Sequence, residues 1–127
     1  MKALVIDDSR AMRRLVSRLL EGLGFSTAEA GDGRQALDVL DADSGFDLAC
    51  IDWNMPVMDG LTFVQEVRRR PEWRGITLMM VTTESEHDQI VRALAAGAHE
   101  YLIKPFTPDA LKAKLDLLGL VPVQETA

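Results

Sequence analysis

The chain contains one cysteine, Cys50, so no disulfide can form within it. That residue lies in the apolar run Leu48-Ala49-Cys50-Ile51, where the thiol reads as a buried, inert side chain in a reducing compartment. Aromatic residues make up only 6% of the sequence, so aliphatic side chains must fill the core. No stretch approaches the roughly 18 consecutive apolar residues of a membrane helix. The amino terminus passes from Met1-Lys2-Ala3 straight into Leu4-Val5-Ile6-Asp7-Asp8, without the regions of a secretory leader, and a cytoplasmic placement is expected. Positive charge is also scarce. With 14 Lys+Arg against 20 Asp+Glu the net charge is −6, which argues against nucleic acid as the main partner. Gly31, Gly33 and Gly60 fit neither a dinucleotide-binding nor a Walker pattern, and His87 and His99 have no His or Cys partner at zinc-ligand spacing.

What remains is a chain of 127 residues, 47% hydrophobic and 27% charged, which fits one globular domain. Short apolar runs alternate with longer segments of helical period, giving five βα units. The strand candidates are Ala3 to Ile6, Phe25 to Ala28, Asp47 to Ile51, Ile76 to Val81 and Glu100 to Ile103. Most lack in-out alternation, as expected where helices cover both faces of a parallel sheet, and the polar second run is the edge candidate. The expected class is α/β, an open doubly wound five-stranded parallel sheet with five helices, because an eightfold barrel needs about 250 residues.

The first helix starts after Ser9 and places Met12, Leu15, Val16, Leu19 and Leu20 inward, with Arg10, Arg13, Arg14 and Arg18 on its other face. Asp32 and Gln35 form a capping-box pattern for the second, which turns Ala36, Leu37 and Leu40 inward. The third follows Asp59-Gly60, buries Leu61, Val64 and Val67, and closes on Arg68-Arg69-Arg70, which suits the negative end of its dipole. The fourth starts near Ser85 and Asp88, buries Ile90, Val91 and Leu94, and stops at Gly97. The fifth has Thr107 as cap, Pro108 in its first turn, and Leu111, Leu115 and Leu118 inward. The domain is expected to span residues 1–119, with 120–127 a short fraying tail and no output domain after it. Trp53 is expected at the mouth of a pocket, Trp73 in packing, and Met55, Met58, Met79 and Met80 as core and loop filler.

In an open α/β sheet the ligand crevice lies outside the carboxyl ends of the strands. Four strands deliver polar groups there: Asp7-Asp8, Asp52, Thr82-Thr83 and Lys104-Pro105. Carboxylates drawn this close repel unless a counter-charge joins them, and oxygen ligands without His or Cys favour Mg²⁺, or Mn²⁺, over zinc. One divalent cation and Lys104 bring the three negative charges to about zero, ready for an incoming phosphoryl group. A carboxylate can then act as nucleophile and form an aspartyl phosphate, with Lys104 and Thr82 contacting phosphoryl oxygens.

The motifs Val5-Ile6-Asp7-Asp8-Ser9, Ile51-Asp52-Trp53-Asn54-Met55-Pro56, Met58-Asp59-Gly60, Val81-Thr82 and Tyr101-Leu102-Ile103-Lys104-Pro105-Phe106 occur in order from Leu4 to about Leu118. In these the sequence resembles the receiver domains of response regulators in two-component signalling, and among them the stand-alone, CheY-like chemotaxis type. The resemblance implies a flavodoxin-like strand order of 2-1-3-4-5. It implies that Asp52 is the phosphoacceptor for a sensor histidine kinase or phosphotransfer protein, and that Mg²⁺ is held by Asp8, Asp52 and the backbone carbonyl of Asn54, with Asp7 acting mainly through metal-bound water. It further implies phosphoryl contacts from Lys104 and Thr82, a rotamer switch at Tyr101, and a cis Lys104-Pro105 peptide. Asn54 and Glu84 would flank the hydrolytic water and set a short phosphoryl lifetime, while Thr83, larger than the residue many relatives carry, narrows the pocket. The output would be binding of a protein target, first of all a flagellar motor switch, through the face of the fourth helix, fifth strand and fifth helix, by a resting monomer.

Arg10, Arg13 and Arg14 form either a docking face for the kinase or an ordinary solvated face. Two other readings compete: a phosphorelay intermediate, and an interaction module that works without phosphorylation. A phosphatase for external substrates is disfavoured because Asn54 stands where a second Asp would serve as general acid. The protein is therefore expected to be a signalling switch rather than an enzyme.

Overall fold

The computed structural model of the chain describes residues 1–83 and 87–122; the expectations for Glu84, Ser85 and residues 123–127 lie outside them. Five strands, β1 (Lys2–Ile6), β2 (Ser26–Ala30), β3 (Leu48–Ile51), β4 (Thr77–Thr83) and β5 (Glu100–Lys104), form one parallel sheet in the order β2-β1-β3-β4-β5. The helices are α1 (Arg10–Gly22), α2 (Gly33–Ala42), α3 (Gly60–Arg69), α4 (His87–Ala96) and α5 (Pro108–Leu117). This is the doubly wound, flavodoxin-like architecture expected from the sequence.

The central strands are apolar on both faces because each feeds two cores. Leu4, Ile6, Ala49, Ile51, Leu78 and Met80 enter a layer completed by α2, α3 and Ala93 of α4. The intervening Ala3, Val5, Leu48, Cys50, Met79 and Val81 enter a second layer with Val16 and Leu20 of α1 and Leu111 and Leu115 of α5. The period-two alternation of a strand thus sorts residues between two dry layers. Burial of the Cys50 thiol pushes its pKa up to about 12, so it stays protonated.

Four helix starts are fixed by side-chain caps. Ser9 Oγ accepts from Met12 N at 3.3 Å, Asp32 Oδ1 from Gln35 N at 2.8 Å, Asp59 Oδ1 from Thr62 N at 2.8 Å and Thr107 Oγ1 from Ala110 N at 3.1 Å. Gln35 reaches back to Gly31 N, at 3.0 Å, rather than to its own cap residue. The end of α4 is tied across the molecule: Arg68 of α3 donates to Gly97 O and Ile76 O, each at 3.1 Å. Beside it, His99 Nδ1 accepts from Leu78 N at 3.1 Å and lies 3.2 Å from the Arg68 guanidinium. Arg68 therefore does more than complement a helix dipole, and His99 is a backbone cap between β4 and β5.

Several expectations need correction. The second strand begins one residue later and runs to Ala30, because Phe25 leaves the ladder to pack in the second layer. On α1 the buried stripe is Val16, Ser17 and Leu20, leaving Leu15, about 100° away from Val16, 50% exposed. On α4 the buried residues are Ile90 and Ala93, so Val91 and Leu94 face outward at 57% and 38% exposure. Trp53 is not at a pocket mouth; it is buried in the first layer, as is Phe63, which sequence pattern alone did not single out. Trp73 packs as expected: it is buried in the first layer from a short 3-10 turn, Pro71–Trp73, with the Arg70 guanidinium 4.4 Å above its ring. Leu120 is buried and donates its N–H to Leu115 O at 2.9 Å, so the packed chain extends past residue 119.

Candidate functional site

β1 delivers Asp7 and Asp8 to the carboxyl rim of the sheet, and Asp52 follows β3, the neighbouring strand. Asp7 is buried. Its Oδ1 accepts from Ser9 N at 2.9 Å and its Oδ2 from Lys104 Nζ at 3.0 Å. Lys104, at the end of β5, also donates to Asp52 Oδ1 at 3.4 Å, so one ammonium links two of the carboxylates. Asp8 is exposed at the mouth. Each of Asp7, Asp8 and Asp52 offers a carboxylate oxygen within 4.8 Å of the others.

The Asp52 carboxyl is pushed up to about 6 from 3.8, first by burial and then by the Asp7 and Asp8 charges, with Lys104 pulling the other way. One lysine cannot balance three carboxylates. The all-oxygen donor set offered by Asp7, Asp8 and Asp52 fits a hard divalent cation in charge and spacing.

The local fold holds Asp52 against the start of α3. Gly60 N donates to Trp53 O at 2.9 Å, and a Cβ on Gly60 would meet the Asp52 carbonyl oxygen at 2.6 Å, so only glycine permits the approach. Asn54 lies exposed in the loop between β3 and α3. In the same loop Val57 has φ 69° and is 83% exposed, a left-handed backbone that a β-branched residue strongly disfavours. Nothing in the sequence signalled that strain.

Thr82, near the end of β4, is buried, and Thr83 beside it is exposed. Tyr101 on β5 is half-buried against the first core layer, with Lys114 Nζ 4.8 Å from its ring centroid. The Lys104-Pro105 peptide is cis. The structure thus gathers Asp7, Asp8, Asp52 and Lys104 into direct contact range, whereas Tyr101 packs below the rim and Arg10 and Arg14 stand exposed on α1. Arg13 is different: it folds back and donates to the Asp7 carbonyl oxygen at 2.7 Å. Its sequence neighbours gave no sign of this, since all four arginines of α1 share one helical face in projection.

Sheet order and acidic rim together define a flavodoxin-like α/β domain of the receiver class. Residues 3–116 match the response regulator receiver domain family, and the chain belongs to it. Among its relatives, the chemotaxis protein CheY1 of Helicobacter pylori is 42% identical over 119 residues, covering 93% of this chain and 96% of the relative. Chemotaxis protein CheY of Pseudomonas aeruginosa is 44% identical over 117 residues, 91% of this chain and 94% of its own. The solved structure of Vibrio cholerae CheY4 superposes with a TM-score of 0.84 at 37% identity, covering 91% of this chain and 96% of that one. Among the described residues, no helix is long and apolar enough to cross a membrane.

Proposed function

We propose that the protein is a phosphorylation-gated switch of a two-component chemotaxis system, with Asp52 as phosphoacceptor. The observation that carries this reading is the junction of Asp7, Asp8 and Asp52 with Lys104 at one rim. An Asp52 carboxylate oxygen attacks the phosphorus of a phosphohistidine on a sensor kinase or phosphotransfer protein; the P–O bond forms as the P–N bond breaks, and the imidazole leaves. Asp8, Asp52 and the Asn54 backbone carbonyl would hold Mg²⁺, with Asp7 acting mainly through metal-bound water, and the ion would supply charge neutralisation for the phosphoryl oxygens. Lys104 leaves its resting carboxylate partners for a phosphoryl oxygen, and the Thr82 hydroxyl takes another.

The response then moves from Thr82 to Tyr101 and to the surface built by α4, β5 and α5. Support for that surface as the output face is its unburied apolar set, Val91, Leu94 and Ile103. Its partner is a protein target, first of all a flagellar motor switch, as befits relatives named for chemotaxis. Asn54, Thr83 and Glu84 set the phosphoryl lifetime, and Arg10 and Arg14 on α1 present the face for an acidic kinase partner. The protein works as a cytoplasmic, resting monomer that catalyses only its own labelling and dephosphorylation.

Intact mass after exposure to a small acyl or amido phosphodonor tests the reading. One added phosphoryl group that requires both Mg²⁺ and Asp52 is the expected result. No adduct on folded protein, or an adduct that persists in Asp52→Asn, overturns it.

A further inference from the structure

Every polar atom of Asp7 is engaged. Its N–H donates to Ala30 O at 3.1 Å, its carboxylate takes Ser9 N and Lys104 Nζ, and its carbonyl oxygen takes Arg13 Nη1 at 2.7 Å. Arg13 is in turn held from the edge strand, where its Nε donates to Glu29 Oε1 at 3.1 Å. Only 18% of the Arg13 side chain is exposed, and the guanidinium passes over Gly31, where a Cβ would lie 3.7 Å from Nη1. One side chain of α1 thereby joins the end of β1 to the end of β2. The peptide it grips is the one between Asp7 and Asp8, the two carboxylates that leave β1 for the rim.

We infer that Arg13 is a positioning residue: anchored by Glu29, it clamps the Asp7 carbonyl and so fixes the direction in which Asp7 and Asp8 present their carboxylates to the metal and the phosphoryl group. The inference rests on the receiver chemistry proposed above. It differs from docking, because a residue that only steers a kinase has no bearing on metal binding or on labelling by a small donor. It differs also from a plain charge effect. A guanidinium beside a dication site repels the ion, so removal of charge alone tightens binding, whereas removal of a clamp on the ligand-bearing peptide weakens it.

The test measures Mg²⁺ affinity by calorimetry and initial labelling by a small acyl phosphate, in wild type, Arg13→Ala, Arg13→Lys, Glu29→Gln and the exposed control Arg18→Ala. Removing a partner one shell outside a metal site weakens affinity by about tenfold or more, and that loss is expected for Arg13→Ala, with labelling slowed in step. Arg13→Lys, which keeps the charge but cannot bridge both partners with a rigid fork, falls between Arg13→Ala and wild type. Glu29→Gln shows a smaller loss of the same sign, and Arg18→Ala matches wild type. Urea midpoints identify any variant that has simply unfolded. Mg²⁺ binding by Arg13→Ala as tight as or tighter than wild type overturns the inference; if that variant does not fold, unchanged affinity in Glu29→Gln does so. Wild type that neither binds Mg²⁺ nor takes a phosphoryl group overturns the receiver reading itself, a result separable from either.

Discussion

Replacing Asp52 with Asn should make the metal-free protein more stable. The Asp52 carboxyl titrates near 6 in the fold against an ordinary 3.8, because burial and two neighbouring carboxylates oppose its charge more than Lys104 favours it. An acid whose folded pKa is raised leaves stability intact below about pH 4. Stability is lost as the pH climbs through the folded value, since the unfolded chain ionises first. The gap of about two pH units corresponds to roughly 3 kcal/mol, and partial solvent screening of a rim carboxylate brings this to about 1–2 kcal/mol. Asn keeps the shape and removes the charge. At pH 8 in a chelator, urea denaturation of Asp52→Asn should therefore give a free energy about 1–2 kcal/mol above wild type, or a melting temperature roughly 4–8 °C higher for a domain this size. The advantage should shrink as the pH falls from 6 to 4. Saturating Mg²⁺ at a hundred times its Kd adds about 2.7 kcal/mol to wild type and reverses the order. Equal or lower stability of the variant at pH 8 without metal, or an advantage that survives at pH 4, refutes the electrostatic account of this site.

Three further outcomes follow from other parts of the structure. The His99 imidazole sits below its ordinary pKa because of burial and the adjacent Arg68 charge, so its share of stability is complete above about pH 6.5 and declines below it; His99→Asn, which keeps an acceptor for Leu78 N, should flatten the fall in urea midpoint between pH 7.5 and 5.5, and identical slopes contradict the assignment. Val57→Gly should stabilise the fold by about 1 kcal/mol, since the relief of left-handed strain exceeds the added freedom of the unfolded chain; a lower urea midpoint shows that Val57 is not strained. Arg10→Glu with Arg14→Glu should slow phosphotransfer from a cognate kinase several-fold while leaving labelling by a small acyl phosphate unchanged, and equal slowing in both assays removes the docking role.

The fold is readable because four of the five strands end in or beside a polar residue, and those residues, Asp7, Asp52, Thr82 and Lys104, gather at one rim. Periodicity could count the strands but not order them, since a parallel sheet records neighbours only in crossovers; the resemblance supplied the order. Misplaced residues have a common cause. Leu15, Val91 and Leu94 are apolar at helical spacing, yet the buried stripes of α1 and α4 run through Ser17 and Ala93 instead, a rotation that apolar periodicity does not resolve. Trp53 stands beside Asp52 in sequence, yet its ring continues the parity of Ala49 and Ile51 beyond the end of β3 and joins the first layer. The tie from Arg13 to the Asp7 carbonyl was illegible because it ends on a backbone atom and depends on how closely α1 crosses the end of β2.

Lys104 is the last residue of β5, bound at its tip to Asp7 and Asp52, and the residue before it, Ile103, already faces the outside at 37% exposure. In register these two lie beside Thr83 and Thr82 of β4. One peptide bond thus separates the ammonium at the acidic rim from an exposed apolar side chain. The path from the rim to the exterior runs along the strand end and crosses neither buried layer.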